Sequence, residues 1–163
     1  MWAHEVNTIE APEGRTYPEL ARLVRQLIDS MFFEPDLRAK WATEALSWSM
    51  HLPSPYLAAR CQQVLRALAP PLSPDITHSM LTALLQCLSF PSAVSFDFMA
   101  ELLLTLKALI EAMPAQQVKM YPQLLWGTIA LLHSSHVPLF ALVLQVCCIH
   151  LSADVLYILK HLC

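Results

Sequence analysis

Residues 41–74 read WATEALSWSMHLPSPYLAARCQQVLRALAPPLSP and hold two helical patterns punctuated by proline. Leu37, Trp41, Ala45 and Trp48 recur at steps of three and four toward His51, and Pro53 and Pro55 then break the run. From Tyr56 to Leu68 the pattern resumes, with Leu57, Cys61, Val64, Leu65 and Leu68 on one side. Pro70-Pro71 stops it. Ser73 suits an N-cap, with Pro74 at the first helical position.

The same punctuation extends in both directions. Residues 1–16 are polar, contain Pro12 and Gly14, and read as an irregular segment. A first helix is expected from Tyr17, with Leu20, Leu23, Val24, Leu27, Ile28 and Met31 as its apolar stripe. Arg22, Arg25 and Asp29 fall on its wet side. Beyond Pro74 a fourth helix carries Ile76, Met80, Leu84, Cys87 and Leu88. After Pro91 a fifth is expected near Ser95, with Met99, Leu102, Leu103, Leu106, Leu109, Ile110 and Met113 inside. Pro114 or Pro122 opens a sixth that ends near Ser134-Ser135, and Pro138 opens a seventh. The polar step Ser152-Ala153-Asp154 then leads into an eighth.

Seven to eight helices joined by short, proline-marked turns form antiparallel neighbours. Taken in pairs they give units at 35–70, 73–113 and 115–150, a spacing close to the ~40–47 residues of HEAT and armadillo repeats. The expected fold is therefore all-α, a HEAT/armadillo-like α-solenoid segment over 17–163. Sequence identity between the units is weak, so the shared feature is a structural period.

Composition agrees. Glycine occurs only twice, at Gly14 and Gly127. Hairpins and phosphate loops need glycine where φ is positive, which argues against α/β and all-β folds. Hydrophobic residues make up 56% and charged residues 14%, against roughly 45–50% and about 25% in typical domains. The charge also thins along the chain, leaving Lys107, Lys119 and Lys160 as the basic residues after Arg66. Repeats that bury faces against both neighbours explain such a composition. The apolar pattern at Leu162-Cys163 is expected to belong to a longer array.

Several function classes recede at this point. A net charge of −3 offers no basic face for nucleic acid. Val137–Leu151 is the most apolar stretch, but it includes Gln145 and His150 and falls short of the ~20 apolar residues of a membrane span. Met1-Trp2-Ala3-His4-Glu5 lacks the form of a secretory signal. Five cysteines without framework spacing point to free thiols in a reducing, intracellular setting.

His133, His136, Cys147 and His150 are the residues a helical metalloprotein would use. Cys147 and Cys148, however, point about 100° apart on one apolar helix, unlike the paired ligands of a zinc knuckle. No glycine-flanked serine offers a nucleophile elbow. Asp97 and Glu101 suit a solvated helix start. The four tryptophans, Trp2, Trp41, Trp48 and Trp126, could form a ligand cage, but Trp41 and Trp48 lie seven apart on one face and read first as packing residues, as does Leu57. No catalytic residue, cofactor or metal is expected. Arg60, Gln63 and Arg66 repeat every three residues on the third helix. They read either as an ordinary wet stripe or as an exposed contact ridge for an acidic protein partner.

The order of these segments also carries a resemblance. The Trp41–Glu44-Ala45-Leu46–Trp48 helix, the break at Pro53 and the Leu57-Ala-Ala-Arg60-Cys-Gln-Gln-Val-Leu-Arg66-Ala-Leu68-Ala-Pro70 helix resemble the large Furry-like cell morphogenesis proteins. Met1-Trp2-Ala3-His4-Glu5 is similar to the Trp-x-His-Glu that precedes these helices there. Met99-Ala-Glu101-Leu-Leu-Leu-Thr105-Leu-Lys-Ala-Leu109 is similar to a Glu-x-Leu-x-Thr-Leu segment downstream. The likeness spans residues 1–113. Cys61 departs from the family's serine, Gln63-Val64 shifts the polar pattern, and the loop after Pro91 is short.

The resemblance implies a non-enzymatic α-solenoid scaffold of polarised growth, cytoplasmic, at the cell cortex or on microtubules. It also implies association with NDR-family kinases and their Mob co-activators. An unrelated helical-repeat adaptor in transport or trafficking, or a small integral membrane protein, is the alternative.

Overall fold

A computed structural model describes residues 16–31, 36–89, 93–133 and 137–162. Among them are eight helices and no strand: α1 (Tyr17–Ser30), α2 (Leu37–His51), α3 (Pro55–Leu68), α4 (Pro74–Ser89), α5 (Ala93–Glu111), α6 (Ala115–Val118), α7 (Pro122–Leu132) and α8 (Val137–Leu162). The fold class is all-α, of the α-solenoid-like helical-repeat kind. The chain forms two compact units that meet in sequence at Pro70 and Pro71.

The helix starts are chemically marked. The Thr16 backbone N–H donates to the Glu19 carboxylate at 3.0 Å, which places an acid in the first turn of α1. Ser73 Oγ accepts from the Ile76 N–H at 3.2 Å, ahead of Pro74, as the N-cap expectation requires. Ser54 plays the same part for α3, accepting from the Leu57 N–H at 3.5 Å. Pro114 and Pro122 both serve as starts, giving the short α6 and then α7.

α3 ends on a strained residue. Ala69 adopts φ 44°, ψ 58°, a left-handed conformation that normally selects glycine. Its N–H still donates to Leu65 O at 3.1 Å. Replacing Ala69 with glycine is expected to raise stability by up to about 1 kcal/mol, because it removes the Cβ clash. A denaturant midpoint that falls instead would contradict this account of the cap.

In the first unit α3 packs on both α2 and α1. Leu20, Ala21 and Val24 of α1 meet Ala42 and Ala45 of α2 and Leu65, Ala67 and Leu68 of α3 in one buried cluster. Arg22, Arg25 and Asp29 are exposed, as the periodicity predicts. The fully buried side chains that α2 gives this core are the small Ala42, Ala45 and Ser49, with the half-buried Trp41 and Leu46 packed against it. Small residues let α2 and α3 approach closely. Gln62 Nε2 donates to Ser49 Oγ at 2.8 Å, and Ser49 Oγ donates to Leu46 O at 2.7 Å, so a buried polar pair is tied into the contact.

In the second unit α8 packs against α5, α6 and α7, while α4 packs against α5. Met99, Leu102, Leu103, Leu106, Leu109 and Ile110 of α5 are all buried, matching the expected stripe. Gly127 of α7 faces α4. A Cβ at this position would lie 2.9 Å from Leu81 Cδ2, so glycine permits the approach. Tyr121 OH donates to Leu72 O at 2.8 Å, and Lys107 Nζ donates to Gln145 Oε1 at 3.0 Å.

Two helical expectations change. The break expected at Ser152-Ala153-Asp154 does not occur, and α8 runs through it. Ser152 Oγ bonds back to Ile149 O at 2.9 Å, which satisfies the hydroxyl within the helix. The packing role expected of Trp48 also fails, since this side chain is 59% exposed. The buried face of α2 follows Ala42, Ala45 and Ser49, one residue round from the tryptophan line. No helix among the described residues is long and apolar enough to cross a membrane.

Candidate functional site

A groove of about 460 Å³ opens between α2 and α3 in the first unit. α2 supplies Trp41, Glu44 and Trp48, spaced so that one helical face carries all three. α3 supplies Leu57, Arg60, Cys61 and Val64, and Leu52 lies at the connection. Trp41 and Val64 also lean on the buried cluster, so the groove floor is anchored to the core. Trp48 stands at the mouth with its indole largely in water.

The groove's two charges have different surroundings. Arg60 is 9% exposed. Its Nη1 donates to Gln63 Oε1 at 2.7 Å, its Nε donates to Tyr56 OH at 3.3 Å, and its guanidinium lies 5.5 Å from the Tyr56 ring centroid. These partners are neutral, so they hold the guanidinium in place and leave its positive charge at the groove wall. Glu44 is exposed and forms no ion pair among the described residues.

The row Arg60, Gln63 and Arg66 is not the exposed stripe that its spacing suggests. Arg66 is 8% exposed, and its guanidinium carbon sits 3.9 Å from the Tyr17 ring centroid. The tyrosines cap the arginines, and the aliphatic stems contribute to packing between helices. Gln63 alone of the three is half-exposed. The periodicity could not show this, because Tyr17 comes from a different helix. The signal for the groove was present in the Trp41–Trp48 spacing, with Glu44 between them.

Burial pushes the Cys61 and Cys87 thiols above the ordinary 9.0. Both then stay neutral where a free thiol ionises, so the folded state loses this advantage as pH rises past 9.0. Cys148 is exposed on α8. At mildly alkaline pH an alkylating reagent is expected to modify Cys148 well before Cys61 or Cys87. Mass-spectrometric peptide mapping over time checks this, and equal rates would contradict the burial of the two thiols.

The histidine and cysteine candidates do not assemble. Cys147 and His150 are buried in α8, His133 is exposed at the end of α7, and His136 lies outside the described residues. Among the described residues no group of three or more His, Cys, Asp or Glu could hold a metal ion. What the structure offers is a mainly apolar cleft lined also by the exposed Glu44 and the buried Arg60.

These features define an all-α segment of the helical-repeat kind. The chain belongs to the family described as the cell morphogenesis central region, whose profile matches residues 1–96, and its relatives are Furry-family cell morphogenesis proteins. It is 29% identical over 111 residues to the cell polarity protein mor2 of Schizosaccharomyces pombe, covering 68% of this chain and 5% of that protein. It is 28% identical over 137 residues to the cell morphogenesis protein PAG1 of Saccharomyces cerevisiae, covering 83% of this chain and 6% of that protein. The chain therefore spans about one twentieth of the length of these relatives. No solved structure matches it.

Proposed function

We propose that the chain is a non-enzymatic segment of a cell morphogenesis scaffold, holding protein partners on a helical-repeat surface. Family membership over residues 1–96 is the observation that carries this reading. The groove lies within that stretch. The partners are an NDR-family kinase and its Mob co-activator, as the Furry-like resemblance implies. The setting is cytoplasmic, at the cortex or on microtubules. The mechanism is positional: stacked helices hold two partners together and raise their effective concentration.

The α3 edge belongs to the proposed surface. Gln63 meets the partner there, with its side-chain carbonyl oriented by Arg60. Arg66 supports the same edge through its contact with Tyr17.

A pull-down of a purified kinase–Mob complex with the full chain tests this, beside a Gln63→Lys variant whose helicity is verified by circular dichroism. Retention by the wild type, weakened in the variant, is the expected result. Failure of a folded wild type to retain the complex would reduce this segment to a spacer within the longer protein.

A further inference from the structure

We draw no further inference here: the strongest candidate, the exposed apolar stripe of Phe140, Leu144, Cys148 and Leu151 along α8, is an unpartnered helix face, and nothing in the structure shows what covers it.

Discussion

Arg66→Glu is expected to destabilise the first unit by about 3–5 kcal/mol, enough to unfold a domain of ordinary stability. The guanidinium lies 3.9 Å from the Tyr17 ring centroid and is 8% exposed. Glutamate would lose the cation–π contact and the packing of the long stem. It would also set a carboxylate against the negative face of the ring, within a cluster that includes Leu20, Ala21 and Leu65. Arg66→Lys retains the charge but not the planar stacking surface, so its loss should be smaller. Urea unfolding followed by tryptophan fluorescence, in a Trp126→Phe background that silences α7, reads this. A glutamate variant as stable as the wild type would mean that Arg66 is a surface residue after all.

The second large effect lies in the other unit. Leu106→Ala is expected to cost about 2–5 kcal/mol, through lost transfer energy and the cavity left behind. Leu106 is fully buried, and α5 supplies Met99, Leu102, Leu103, Leu109 and Ile110 to the same interior. With so many neighbours fixed on one helix, little collapse into the space is available. Leu85→Ala provides the comparison, since that leucine is exposed on α4 and should change stability by less than about 0.5 kcal/mol. Denaturant titration with Trp126 as reporter checks both. Equal effects would contradict the assignment of α5 as the centre of this core.

The helical period and its proline punctuation were legible because both are local. Proline removes a donor and fixes φ wherever it stands, so Pro55, Pro74 and Pro122 mark helix starts without reference to distant residues. The buried stripe of α5 was equally plain, since leucines at helical spacing have few other uses.

Tertiary facts were less legible. The cover over Arg66 comes from Tyr17, far away in sequence, and no stripe of alternating polarity reveals it. On α2 the largest side chains suggested the core face, whereas close helix approach selected the small ones. Ala42, Ala45 and Ser49 went inside, and Trp48 was left at the groove mouth. The polar step after Ile149 suggested an ending, but one hydroxyl returning to the backbone let α8 continue. In the first two cases packing between helices overrode a local reading. The groove itself depends on that override.

The central claim is that this chain holds partner proteins rather than spacing other segments apart. Amide hydrogen exchange of the full chain, with and without a purified NDR-family kinase–Mob complex, tests it most directly. The account predicts slowed exchange confined to the first unit, strongest along residues 41–64 of α2 and α3. Exchange unchanged in every described helix, at concentrations where the complex is intact, would contradict it.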